Sequence, residues 1–162
     1  MPNWVRNKLF IHGPTDRVKQ CTLDIASDNE HISFEKIFPR PKDIGDGWYD
    51  WSLENWGTKW DVSETFEDEN GYICFDTAWS TPVELFNFLS ERYTDLTFEI
   101  SYADEDLGNN CGIYTIQNGM ELDFVSYGIE EACRIWGYNY EDMFPEVKRD
   151  RNINRIIGEE EV

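Results

Sequence analysis

The stretch ICFDTAWSTPVELFNFLSERYTDLTFEI, Ile73 to Ile100, sets how the rest of the chain is read. Ile73, Phe75, Thr77 and Trp79 recur every second residue, the period of a strand with one buried face. Thr81-Pro82-Val83-Glu84 has the form of a capping box with proline at the first helical position. The helix it opens carries Leu85, Phe86, Leu89 and Tyr93 on one side. Leu96, Phe98, Ile100 and Tyr102 then alternate with Thr97, Glu99 and Ser101, which predicts another strand. The unit is strand, helix, strand within about 30 residues, the span of one such motif.

Upstream, Val5, Asn7, Leu9 and Ile11 alternate with Arg6, Lys8 and Phe10 and stop at Gly13-Pro14, a first strand. Val18, Cys21, Thr22 and Ile25 fall at helical spacing, and Ser27-Asp28-Asn29 ends that helix. Ile32 and Phe34 alternate with Ser33 and Glu35 before Pro39 and Pro41, which predicts the second strand there. Residues 43–70 break the rhythm and read as an insertion after that strand, a folded loop in which Gly57 opposes a continuous helix. The resulting order, β-α-β-β-α-β, is the split pattern of a ferredoxin-like α+β fold: an antiparallel sheet with its helices on one face. Downstream, Tyr114 and Ile116 lead through Asn118-Gly119 to Met120, Leu122 and Phe124, a hairpin signal. Ile129, Ala132, Cys133 and Trp136 predict a last helix that Gly137 stops. The domain is placed at residues 1–147, with 148–162 as a charged, frayed tail.

Three segments resemble the YubB ferredoxin-like domain family. They are the opening Met1-Pro2-Asn3-Trp4-Val5-Arg6-Asn7-Lys8-Leu9, the block from Trp48 to Asp61, WYDWSLENWGTKWD, and the run Phe75-Asp76-Thr77-Ala78-Trp79-Ser80-Thr81-Pro82. The resemblance covers residues 1–136. It implies a ferredoxin-like domain and a bacteriophage or plasmid setting, and it carries no catalytic residue with it.

The 162 residues are 40% hydrophobic and 15% aromatic, enough to build one ordinary core. No apolar run reaches the roughly 18 residues that span a bilayer, and the N-terminus lacks the apolar stretch of a signal peptide. The expectation is a cytoplasmic protein of a bacterial host cell, with Cys21, Cys74, Cys111 and Cys133 as reduced, mostly buried thiols. The formal charge of −19 is unevenly spread. Residues 1–42 carry 7 basic and 5 acidic groups, residues 43–147 carry 3 and 24, and residues 148–162 carry 4 and 4. Lys59, Arg92 and Arg134 are the basic residues of that middle segment. Such a field repels nucleic acid and anionic membrane and attracts basic partners.

Catalytic signatures are missing: no G-x-S-x-G, P-loop, G-x-G-x-x-G or H-E-x-x-H. His12 and His31 stand alone, and no cysteine sits at zinc-ligand spacing. Asp104 and Asp106 match the first positions of a calcium loop, but Gly108, Asn109 and Thr115 fail the later ones. No catalytic residue, metal or cofactor is expected. The chain is read as a non-enzymatic binding protein, and two surfaces are candidates.

The first is acidic: Glu64, Glu67, Asp68 and Glu69, with Asp104, Glu105 and Asp106. A domain of this length is about 40 Å across. B-DNA of that length carries roughly 23 phosphates. The 24 carboxylates of residues 43–147 are of that order. They suit a nucleic-acid mimic, an anti-defence inhibitor that occupies a basic host protein, and equally suit solvated turns. The second is the aromatic block, where Trp48, Tyr49, Trp51, Trp56 and Trp60 lie within 13 residues. These rings either cover the sheet, at about 150–250 Å² each, or line a small-ligand pocket with Glu54, Asn55, Lys59 and Asp61 as its polar groups.

Overall fold

The computed structural model describes residues 2–160. Strand β1 (Trp4–His12) is followed by helices α1 (Thr15–Ile25) and α2 (Phe34–Ile37), a 3-10 turn (Gly45–Gly47) and helix α3 (Trp48–Asn55). Then come β2 (Thr65–Glu67), β3 (Ile73–Ala78), α4 (Val83–Arg92), β4 (Thr97–Asp104), β5 (Cys111–Gln117) and β6 (Met120–Ser126). Helices α5 (Ile129–Trp136), α6 (Tyr140–Met143) and α7 (Pro145–Glu160) complete the chain. The six strands form one antiparallel sheet in the order β2-β3-β1-β4-β5-β6. Its first four strands have the arrangement of a ferredoxin-like domain, and the β5–β6 hairpin extends the sheet beyond β4.

β1 lies at the centre and keeps the alternation of its sequence: Val5, Asn7, Leu9 and Ile11 are buried, while Trp4, Arg6, Lys8 and Phe10 are partly covered. The apolar members join Phe75, Leu85, Phe86, Leu89, Phe98 and Ile100 in the main core. Asn7 is fully buried among them. Its Nδ2 donates to Val5 O at 3.0 Å, Phe75 O at 3.2 Å and Thr77 Oγ1 at 2.9 Å. Its Oδ1 accepts from Thr81 Oγ1 at 2.6 Å, so every polar position of the amide is used.

That bond corrects the reading of Thr81. The threonine hydroxyl serves Asn7 instead of capping a helix, and Pro82 occupies the N-cap without a side-chain cap bond. The second strand is also corrected. Phe34 begins a short helix instead of lying in a strand, because Asp61 accepts from the amides of Phe34 (2.9 Å) and Glu35 (3.1 Å) while Ser33 Oγ accepts from Lys36. Those side-chain oxygens satisfy helix-end donors that an isolated strand would leave open. The true second strand is Thr65–Glu67, so the aromatic segment precedes it.

That segment is not a loop throughout: α3 runs from Trp48 to Asn55, and Gly57, at φ +81°, follows its end instead of interrupting it. α1 and α4, the two helices of the split motif, share the core face as expected. α5 packs on the second face, with Ala132 against Ala103 and Cys111, and Trp136 Nε1 donating to Ala103 O at 3.0 Å. Residues 145–160 form α7, where a frayed tail was expected; Glu161 and Val162 lie outside the described residues. The hairpin turns at Asn118 (φ 47°) and Gly119 (φ 72°), and Gly137 (φ 79°) ends α5, as the sequence indicates. All four cysteines are buried and free.

The Asn7–Thr81 bond generates a test. Asn7→Leu and Thr81→Val should each lower the unfolding free energy by about 1–3 kcal/mol, since each strands a buried polar partner. The double variant should lose less than the sum. Additive losses in urea melts would show that the two side chains act separately.

Candidate functional site

The two acidic clusters do not meet. Asp68 lies in the β2–β3 turn, where Lys8 Nζ reaches its Oδ2 at 2.9 Å and the amides of Asn70 (2.9 Å) and Tyr72 (3.0 Å) donate to its Oδ1. Asp104 ends β4 opposite Val5, nearer the other end of β1. It is buried, accepts from Asn3 Nδ2 at 3.3 Å and from the Asp106 amide at 2.8 Å, and so fixes the β4–β5 loop. Glu105 accepts from the Trp4 amide at 2.8 Å, and Asp106 from Asn109 Nδ2 at 3.0 Å. Asp68 and Asp104 therefore hold turns together, while Glu64, Glu67, Glu69, Glu105 and Asp106 are exposed. Glu64, Glu67 and Glu69 flank or occupy β2, the edge of the sheet.

The aromatic block also divides. Trp56 is a core residue, 1% exposed, with Nε1 donating to Phe38 O at 3.0 Å and its ring edge-on to Phe34 and Trp51. Trp51 packs beside it against Phe38, and Trp48 and Tyr49 lie edge-to-face nearer the surface. Asn55 donates to Trp51 O, Glu54 is exposed, and Asp61 caps α2. Gly57 lets this segment approach α4: a Cβ there would lie 3.2 Å from the amide nitrogens of Val83 and Glu84. Ser80 Oγ donates to Gly57 O at 2.6 Å and Thr58 Oγ1 to Ala78 O at 2.8 Å, tying the block to the end of β3.

Lys59 and Trp60 join a different group. Lys59 Nζ stands 4.3 Å from the centre of the Trp60 ring and 4.7 Å from that of Trp79, and Trp60 packs against Trp4. Trp79 is 45% exposed and adopts φ +66°, a left-handed backbone that a bulky residue seldom takes, at a cost of about 1–3 kcal/mol. Its amide donates to Asn3 O at 2.9 Å, and its carbonyl accepts from Asn110 Nδ2 at 3.2 Å. Trp4 and Trp79 lie far from the block in sequence, and alternation alone places them only on strand faces.

The basic side chains on the second face of β1 stand beside carboxylates. Arg6 binds Asp76 through two bonds of 2.9 and 3.0 Å and lies over Trp136, Lys8 binds Asp68, and His12 stands 3.6 Å from Glu99. Arg6, Lys8 and, on α1, Arg17 are thus engaged by internal carboxylates, while Lys36 donates to the carbonyls of Leu23 and Ala26 and Arg40 to Ser52. The Asp76 hydrogen bond raises the Arg6 pKa despite burial. At Asp68, burial pushes the carboxyl up, but the hydrogen bonds from Lys8, Tyr72 and Asn70 outweigh it and hold it below its ordinary value of 3.8.

The fold and these surfaces define a ferredoxin-like α+β domain with an acidic exterior. The chain belongs to the family described as the ferredoxin-like domain in Api92-like protein, which matches residues 55–147. A solved structure similar to it is protein api92 from Yersinia pseudotuberculosis, at 18% identity and a TM-score of 0.42, over 59% of this chain and 39% of that one. No curated protein shows significant similarity. Among the described residues no helix is long and apolar enough to cross a membrane.

Two outcomes follow from this geometry. Trp56→Ala should cost about 3–5 kcal/mol, the loss of a large core ring, whereas Trp60→Ala should leave the domain folded; equal losses in thermal melts would contradict the division. Asp68, with a lowered folded pKa, contributes stability that is present above its unfolded pKa and lost as pH falls through the folded one. The stability gap between wild type and Asp68→Asn should therefore be widest near neutral pH and close in acid. A gap that persists at pH about 2 would assign the effect to something other than charge.

Proposed function

We propose that the domain acts by binding and not by catalysis: an acidic accessory protein of a phage or plasmid that occupies a basic surface of a host defence or nucleic-acid-processing protein. The observation that carries this reading is charge left unneutralised. The sequence has 33 Asp and Glu against 14 Lys and Arg. Salt bridges among the described residues engage six carboxylates: Asp68, Asp76, Asp95, Glu99, Glu130 and Glu141. The remaining excess is free to meet a cationic partner, steer its approach and compete with nucleic acid for it. The resemblance to the YubB family, with its mobile-element setting, supports the choice of partner.

The test removes charge without removing turns. A variant with Glu64, Glu67 and Glu69 changed to Gln, Glu105 to Gln and Asp106 to Asn keeps Asp68 and Asp104. It should fold, bind the partner of the wild type at least tenfold more weakly, and show a flatter dependence of affinity on salt. Unchanged affinity and salt slope would contradict the electrostatic reading.

A second reading rests on Lys59. Its ammonium between two indoles, beside a strained and exposed Trp79, supports binding of a planar anion there. This narrows the ligand-binding surface of the aromatic block to Lys59 and Trp60, joined by Trp79.

A further inference from the structure

A cavity of about 270 Å³ opens between α4 and the β5–β6 hairpin. Tyr102 and Tyr114 form one wall, with ring centres 6.2 Å apart and planes at 58°. Phe124, half exposed on β6, is the cross-strand neighbour of Tyr114 and extends that wall, and Val83 lines the cavity from α4. Asn87 and Glu121 supply the polar side chains of the lining. Its volume is near the lower limit of small-molecule sites, which run from about 300 Å³ upward.

Two observations mark this space as more than a packing gap. Tyr114 is 3% exposed, and among the described residues its buried hydroxyl makes no hydrogen bond of ordinary geometry, with the Thr81 hydroxyl as its side-chain hydrogen-bonding neighbour. An orphaned hydroxyl costs about 1–3 kcal/mol, and native interiors hold few of them. The charge around the cavity is also one-sided. Glu121 lines it, Glu91 lies against Gly119 so closely that a Cβ there would stand 2.6 Å from its Oε1, and no lining residue is basic. Burial pushes the Tyr114 phenol up, hydrogen bonding with Thr81 acts against this, and the fields of Tyr102, Glu121 and Glu84 add to the rise. Among the described residues Glu84, Glu91 and Glu121 form no salt bridge.

We infer that this cavity is a binding site for a small organic cation, an amine with an apolar body. The aromatic rings hold the body and offer their faces to the charge, Glu121 pairs with the ammonium, and Tyr114 receives its missing hydrogen bond. An anion is disfavoured by the carboxylates. The end of α4 offers an anion little, because the amides of Val83, Leu85 and Phe86 are taken by the carbonyls of Thr81, Trp56 and Pro82 and the remaining first-turn amide belongs to Glu84, itself an acid. The site is independent of the acidic docking surface proposed above.

Calorimetric titration of the full chain with phenethylamine, 2-phenylethanol and 3-phenylpropionate tests this. Phenethylamine should saturate, with an affinity at least about tenfold above the neutral and anionic probes. Glu121→Gln, at an exposed position, should weaken it about fivefold or more. Val83→Trp, which fills the mouth, should abolish it. No saturable binding of the amine, equal affinity for the alcohol, or an unchanged affinity in Glu121→Gln would each overturn the inference.

Discussion

The carboxamide of Asn7 sits at 0% exposure in the middle of the central strand, where an unpaired polar group would cost several kcal/mol. It is tolerated because three elements supply partners: β1 itself, β3 through Phe75 and Thr77, and the approach to α4 through Thr81. Thr77 Oγ1 in turn donates to Ser80 O at 2.7 Å. Ser80 holds Gly57, and Leu85 N donates to Trp56 O at 3.3 Å. A single buried amide thus fixes where α4 begins and where the aromatic segment crosses it. Everything later in the chain is built on that placement, since α4 forms one side of the cavity that β5 and β6 close.

Much of this was legible in the sequence wherever one face of an element is buried. β1, most of β4 and β5 carry a period that their burial follows, whereas β3 is buried and β6 exposed along its whole length. The misread elements are those held by tertiary partners. Ile32 to Glu35 alternates like a strand, but Asp61, 26 residues beyond Glu35 in the chain, supplies the oxygens that make Phe34 start a helix. Thr81 has the form of a cap, yet a buried amide competes for its hydroxyl more strongly than the helix end does. Residues 145–160 look too charged to hold a helix, but Arg151 reaches Glu141 at 3.1 Å and Glu130 at 3.2 Å on neighbouring elements.

The candidate surfaces show the same limit. Composition reveals that the chain is acidic, but not which carboxylates are already at work. Asp68 and Asp104 organise turns, and Arg6, Lys8 and His12 are matched by acids from β3, the β2–β3 turn and β4. The indoles of one short block end in two environments, a core around Trp56 and a cationic cluster around Lys59 completed by the distant Trp4 and Trp79. The cavity lined by Tyr102, Tyr114 and Phe124 left no local signal, because each ring falls at an ordinary strand position and only the sheet brings them together.

The proposed function requires the unneutralised charge to act in recognition. Affinity capture from a bacterial host lysate at about 50 mM and about 500 mM salt, with and without competing duplex DNA, tests it most directly, because the Debye length shrinks from above about 10 Å to a few ångströms over that range. The expected result is one basic, nucleic-acid-handling protein that is retained at low salt and released both by salt and by DNA. A partner whose retention ignores salt and DNA, or no specific partner at either salt, would contradict it.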